Sequence, residues 1–274
     1  MSTALVTGGT GGIGRHIAAG LRAAGLDVIV TGRDAARGEA MARDLGASFV
    51  RAVHATVAGN LALAGDVAAR TPVVDVLVNN VGGAAFAGRT VTAEGHEATL
   101  ALNYLGPVAL THALLPTLAP DARVVQVLSS ALFMHRGDPF VEPADYSALG
   151  AYARAKQLGL LAIMSLARAL ADTDVRINAV NPGMAWTPGV QSMTRGTVPA
   201  WRYIWPLMRA IQRTGSPVRA ARVPVRLALT PTGTGGFYES NGRARALPAR
   251  LADHAPQDRA WAEATSERFR PSQV

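Results

Sequence analysis

The sequence predicts an α/β fold: one doubly wound parallel sheet with helices on both faces. Three observations predict it. Short apolar runs, such as Thr3–Val6 and 73–78, alternate with longer segments of helical periodicity. The runs are nearly all apolar, as strands covered on both faces are. Glycine, asparagine and serine clusters follow them, at the carboxyl ends where an open parallel sheet meets its ligands.

Residues 3–6 read as a buried strand, followed by Thr7-Gly8-Gly9-Thr10-Gly11-Gly12-Ile13-Gly14. A helical pattern then runs through Ala24, with Ile13, Ile17 and Leu21 on one face. Strand, glycine turn and helix N-terminus together are the context of a pyrophosphate cradle. Glycines let the backbone approach closely, and the first helical turn offers unpaired N–H groups. Thr7, Gly8, Thr10, Gly12, Ile13 and Gly14 are the candidates there.

The second strand is 27–31. An acid at its end would hold the ribose 2′-hydroxyl of NAD, but Thr31-Gly32-Arg33 stands there. Arg33 suits a 2′-phosphate, which favours NADP over NAD, while Asp34 leaves room for NAD. Asp34 also suits the N-cap of a helix that runs to about Leu45 and stops at Gly46. A third strand is expected over 48–52, a helix over 60–70 and a fourth strand over 73–78. Asn79, Asn80 and Gly82 follow at the ligand-facing edge.

Thr92 and Glu94 open a long helical stretch, interrupted at Asn103-Tyr104-Leu105-Gly106-Pro107, residues that disfavour a regular helix. The interruption either bends the helix around the sheet or gives Asn103 a distorted backbone that holds a water. The fifth strand, 123–128, ends at Ser129-Ser130. A loop over 131–149 and a helix over 150–171 come next. The sixth strand is 176–180, followed by Pro182-Gly183 and Thr187.

Residues 186–213 change character, holding Trp186, Trp201 and Trp205, with Met193, Tyr203, Ile204 and Met208. Pro199 and Pro206 bracket a short helix. A lid over an apolar substrate, spanning about 184–213, and a core or subunit-contact helix fit this pattern equally. Arg195, Arg202 and Arg209 would tolerate an acid group on that substrate. A helix over 216–229, an edge strand over 236–238 and a tail from about 240 to 274, amphipathic near Trp261 and Phe269, complete a single domain of 1–274.

The net charge of +8 and pI of about 10.9 suit an anionic ligand. The arginines are scattered without interleaved aromatics, which argues against nucleic acid. Cysteine is absent, so no disulfide or thiolate metal site exists, and no metal is expected. No basic leader and no run of about 18 apolar residues is seen, so the expectation is a cytoplasmic protein with no membrane span.

Gly150-Ala151-Tyr152-Ala153-Arg154-Ala155-Lys156 places a phenol and an ammonium four residues apart, on one helical face. Lys156 is the single lysine, against 26 arginines. A nearby positive charge would lower the tyrosine pKa and make it a useful proton donor near neutral pH.

Taken together, these motifs resemble the short-chain dehydrogenase/reductase family over essentially the whole chain. The glycine form at Thr7–Gly14, Asn79–Gly82, the strand-end serine, Tyr152 with Lys156 and Pro182-Gly183 occur in the family's order. The long span from Ser130 to Tyr152 and the tail Asp258-Arg259-Ala260-Trp261 with Ser266-Glu267 are similar to the retinol-dehydrogenase-like branch. The resemblance implies a Rossmann-type fold and hydride transfer between a nicotinamide, NADP favoured, and a carbonyl or alcohol. It implies Tyr152 as general acid or base, and Lys156 on the nicotinamide ribose, lowering the tyrosine pKa. Ser130, the second of the pair, would polarise the carbonyl, and Asn103 would anchor a relay water. Asn80 would support the adenosine side and Thr187 the nicotinamide amide.

Two features depart from the family. Val53 and His54 stand where an aspartate usually touches adenine, and Thr10 and Gly11 where the glycine loop often carries a basic residue. The expected substrate is small, bulky and apolar, reduced rather than oxidised, and the expected assembly is a homodimer or homotetramer. A non-redox isomerase, dehydratase or cyclase on the same site, and a cofactor-binding sensor or interaction protein, are the alternatives.

Overall fold

The computed structural model describes residues 2–83, 88–187, 203 and 205–266. Seven strands form one parallel sheet in the order β3-β2-β1-β4-β5-β6-β7. They are β1 (Thr3–Val6), β2 (Asp27–Gly32), β3 (Ser48–Arg51), β4 (Val74–Asn79), β5 (Leu118–Val127), β6 (Arg176–Val180) and β7 (Phe237–Tyr238). The strand order reverses between β1 and β4, the place where doubly wound sheets open a crevice. Val6 lies level with both Val30 and Val78, so the carboxyl ends of β1, β2 and β4 reach the crevice together.

Strand alternation divides the core. Ala4 and Val6 pack with Ile17 and Leu21 of α1 (Gly12–Ala23), Met41 of α2 (Ala35–Leu45) and Leu227 of α8 (Pro217–Leu229). Leu5, one residue out of phase, faces the other layer with Leu63 of α3 (Val57–Ala68), Leu110 of α5 (Gly106–Leu114) and Leu160 of α6 (Ala148–Ala169). Each face of β1 is thereby sealed.

Local side chains cap two helices, the first as expected. Asp34 accepts from the N–H of Arg37 at 3.1 Å, and α2 ends at Gly46 with φ +61°. Ser216 caps α8 in the same way. Elsewhere the boundaries shift. α3 starts at Val57 rather than Asn60, because the Thr56 hydroxyl caps it, accepting the Gly59 N–H at 3.1 Å, and the Glu94 carboxylate accepts the N–H groups of Val57 and Ala58 at 2.7 and 2.8 Å. No helix starts at Thr92. Residues 92–95 make a turn with Gly95 at φ +81°, and α4 (Ala98–Leu100) begins after Glu97 caps it. β5 starts at Leu118, pairing with Val74 ahead of its main register.

Between α4 and α5, Ala101–Leu105 forms a π-helical turn. This is the interruption that Asn103, Gly106 and Pro107 predict. The stretch Ala98–Thr117 is long and apolar enough to cross a membrane, but 72% of its most apolar window is buried inside the fold. It serves as a core helix under α3 and α6.

α7 (Trp205–Arg213) follows the sixth strand, and α9 (Ala249–Ala252) and α10 (His254–Thr265) come after β7. The Tyr104 hydroxyl donates to the Ala260 carbonyl, fixing α10 against the π turn. Most of the expected lid, with Met193, Arg195, Pro199, Trp201, Arg202 and Ile204, lies outside the described residues, as do Glu267 and Phe269.

Candidate active site

The site starts from the glycine turn. Gly8 and Gly12 have φ +65° and +53°, conformations that a side chain resists. A Cβ on Gly14 would lie 2.3 Å from the Gly8 carbonyl, so the helix enters against bare backbone. Gly11, the N-cap of α1, has no side chain to satisfy the first N–H groups. They are left for an anion. A pyrophosphate fits this turn, and the residues present therefore fit a dinucleotide.

Thr7 and Asn80 tie the ends of β1 and β4 together. The Thr7 hydroxyl accepts the N–H groups of Asn80 and Val81 at 2.9 and 3.1 Å, and the Asn80 amide donates to the Thr7 carbonyl at 2.9 Å. Asn80 therefore braces the glycine turn. Asn79, its neighbour, points the other way: it is buried and donates to Thr111 of α5 at 2.7 Å. Adjacent strand residues face opposite sides of the sheet, so only one of the two asparagines can border the crevice.

A cavity of about 460 Å³ opens beyond these strand ends, lined by Ile13, Asn80, Gly82, Ser129, Ser130, Tyr152, Lys156, Pro182, Gly183 and Thr187. Met134, Leu149, Met184, Ala185 and Gln212 are also in its wall. Met184, Ala185 and Gln212 fall within the expected substrate lid, whereas Met134 and Leu149 carry no signal in the sequence. The five come from a 3₁₀ turn, a helix start, a loop and a distant helix, and no local pattern joins them.

Tyr152 and Lys156 lie one turn apart on α6, whose N-terminus is capped by Ser147. Lys156 is 2% exposed, and its Nζ donates to the Val127 carbonyl at 3.1 Å. Nζ lies 5.7 Å from the centre of the Tyr152 ring. Burial pulls the lysine down to about 7 and pushes the Tyr152 phenol above its ordinary value, while a hydrogen bond with the Ser129 hydroxyl draws it partly back. The direction is opposite to the expected lowering, because desolvation dominates.

The serine beside Tyr152 is Ser129, not Ser130. β5 ends at Val127, and Ser129 keeps an extended backbone (φ −159°, ψ 148°) with its side chain turned into the cavity wall. Ser130 opens the 3₁₀ turn and is exposed. The serine is therefore Ser129 rather than the expected Ser130: the extended backbone at Ser129 brings its hydroxyl to the tyrosine, and the chain turns into the 3₁₀ helix at Ser130.

Asn103 does not line the cavity but supports it. Its Oδ1 accepts the Gly83 N–H at 3.1 Å, and its Nδ2 donates to the carbonyls of Gly83 and Thr99 at 3.1 and 2.8 Å. The side chain is therefore occupied by backbone. Any water held by this residue would sit on its main chain, which the π turn displaces from helical bonding. A Cβ on Gly82 would come within 2.6 Å of Lys156 Nζ and 2.7 Å of Asn103 Oδ1, so glycine is what lets lysine and asparagine converge.

The other side of the glycine turn opens into a cavity of about 410 Å³ lined by Thr10, Gly11, Gly12, Arg15, His16 and Arg37, among others. Arg33 is exposed at the end of β2 and is not part of that lining. The Arg37 guanidinium lies 3.1 Å from where a Gly11 Cβ would stand. A basic group thus reaches the glycine loop from α2, where the loop itself has none.

Residues 2–197 match the family model described as short chain dehydrogenase. The chain belongs to the short-chain dehydrogenase family. Among short-chain dehydrogenases, it is 32% identical to dehydrogenase/reductase SDR family member 13 of Bos taurus, over 94% of this chain and 71% of that one. It is 27% identical to human retinol dehydrogenase 13, over 95% and 82% of the two chains. It thus sits with the retinol-dehydrogenase-like members. A solved actinorhodin polyketide ketoreductase with NADPH shares 25% identity with this short-chain dehydrogenase, with a TM-score of 0.66 over 87% of this chain and 95% of that one.

Proposed function

We propose that this short-chain dehydrogenase is an NADPH-dependent carbonyl reductase acting on bulky apolar ketones. One observation carries the reading: the Tyr152 phenol lies beside the Ser129 hydroxyl and buried Lys156, at the wall of a largely apolar cavity. When bound, the nicotinamide supplies a hydride.

The chain supplies the rest. Ser129 and Tyr152 offer two hydroxyl donors to one carbonyl oxygen, which polarises it and fixes its position. The phenol, held above its ordinary pKa by burial, keeps its proton at neutral pH. The protonated phenol is the form that carbonyl reduction needs. Lys156 Nζ, anchored on the Val127 carbonyl, holds the cofactor's ribose side and the tyrosine in register. Met134, Leu149 and Met184 exclude water around the substrate.

Preference for NADPH rests on charge at the end of β2. The Asp34 carboxylate is engaged as the cap of α2 and is poorly placed to receive a ribose hydroxyl. Arg33 ends the strand, Arg51 reaches its carbonyl at 3.2 Å, and Arg37 overhangs Gly11. Three guanidiniums around one strand end suit a 2′-phosphate. The NADPH-bound ketoreductase relative supports the same reading.

The test follows absorbance of NADPH and NADH with a panel of hydrophobic ketones. Tyr152→Phe is expected to lower kcat/KM by about a hundredfold or more. Full activity in that variant would sink the assignment, and tighter binding of NADH than NADPH would overturn the cofactor preference.

A further inference from the structure

Gln212 is 5% exposed, lies on α7 and lines the cavity that holds Tyr152. Its Oε1 has no hydrogen-bond partner among the described residues. An unpaired buried carbonyl is costly, and a fold that retains one in a cavity wall gains by meeting a ligand's donor there.

The rest of the wall sharpens what that donor is. The hydroxyls of Ser129 and Tyr152 both serve a carbonyl oxygen, which is an acceptor alone. Met134, Leu149 and Met184 offer only apolar contact. A plain ketone would satisfy the serine and tyrosine but leave Gln212 unpaired. We propose that Gln212 is a specificity-determining residue that accepts a hydrogen bond from a substrate hydroxyl, so that the preferred substrates are hydroxylated apolar ketones. This rests on the carbonyl-reductase reading of the site and names its substrate class. A site built to bond a hydroxyl discriminates strongly against the analogue that lacks it, because its own polar group is then stranded.

The experiment compares tetralone, its phenolic hydroxytetralone isomers and the corresponding methoxytetralones. Turnover with NADPH and equilibrium binding by tryptophan fluorescence are both read, on wild type, Gln212→Leu and Gln212→Glu. Wild type is expected to prefer at least one hydroxytetralone by about tenfold or more over tetralone and over its methoxy counterpart. Gln212→Leu should bring that ratio to within about twofold, with tetralone unchanged or improved and NADPH affinity unaltered. Gln212→Glu, which keeps an acceptor oxygen, should retain the preference. If Gln212→Leu does not fold, Gln212→Met serves in its place.

Equal treatment of the three ketones by wild type overturns the proposal, as does an equal loss for all of them in Gln212→Leu. Weakened NADPH binding in that variant also overturns it, since Gln212 would then serve the cofactor. Selective binding of a hydroxytetralone without turnover would keep the inference and sink the reductase reading, whereas turnover without selectivity would do the reverse.

Discussion

Thr31 Oγ1 lies 2.7 Å from His54 Nε2, and the same hydroxyl accepts the N–H of Gly8 at 3.3 Å. The chain of bonds has one consistent direction. The Asn60 amide group donates to the carbonyls of His54 and Thr56, so its Oδ1 must accept from His54 Nδ1, 3.1 Å away. His54 Nε2 is then bare and accepts the Thr31 proton. A histidine on the loop after β3 thereby reaches across β2 to hold the first glycine of the dinucleotide turn.

His54→Ala is expected to weaken NADPH binding roughly fivefold, the size of one net hydrogen bond, by loosening the turn at Gly8. Burial lowers the His54 pKa below 6.5, so the fold favours the neutral ring. The stabilisation is full above 6.5 and fades as pH falls through the lowered native value, because protonation removes the acceptor that Thr31 needs. The stability difference between wild type and His54→Ala, measured by denaturant titration, should therefore shrink toward acid pH. A difference that grows toward acid would refute the tautomer assigned here.

Ser129→Ala should lower kcat/KM by about a hundredfold or more, the scale of a lost donor to a developing oxyanion. Ser130→Ala should stay within about threefold of wild type, since an exposed side chain away from Tyr152 has little to lose. Steady-state kinetics of the two variants, side by side, decide which serine faces the substrate.

The serine pair also marks how far the sequence could be read. What was legible depended on local chemistry. Asp34 caps the helix that follows it, Gly46 ends it, and Asn103-Gly106-Pro107 breaks another, because each acts on backbone within a turn of itself. Tyr152 and Lys156 were legible because helical spacing alone puts them together. What escaped depends on long-range partners or on phase. The first N–H groups of α3 are taken up by Glu94 of a distant turn, beside the local cap of Thr56. Asn79 and Asn80 differ in which side of the sheet the strand gives them, and Ser129 and Ser130 in that the chain turns into a 3₁₀ helix at the second. The tyrosine's pKa direction was misjudged because burial is a property of the packed fold, not of the spacing between two side chains.

Gly82→Ala should lower kcat/KM by about tenfold or more while leaving the circular dichroism spectrum native. Its Cβ would stand 2.6 Å from Lys156 Nζ and 2.7 Å from Asn103 Oδ1. Asn103 is pinned by three backbone bonds, so the lysine is the group that must move. Small displacements of a positioning group reduce rate more than stability. Wild-type kinetics in Gly82→Ala would show that the lysine has slack its hydrogen bond to Val127 does not suggest.

Lys156 is the last test, and its isolation makes it accessible. As the single lysine, it gives one side-chain signal after labelling with isotopic lysine, and the pH dependence of that signal should report a midpoint of about 7. A value near 10.5 would mean that water reaches Nζ and that burial does not govern it. The same shift has a consequence for stability. The native value lies below the unfolded one, so the unfolded chain binds more protons between about 7 and 10.5, and stability rises with pH across that window. Below about 7 the full cost of burying the ammonium is present, on the order of a few kcal/mol before its hydrogen bond to Val127 is counted. Lys156→Met should therefore be more stable than wild type at pH 6, with the margin closing toward pH 10, and catalytically silent throughout. A stabilised but inactive variant is what a strained functional lysine yields, whereas a lysine that only packs would lose stability on replacement without gaining any at acid pH.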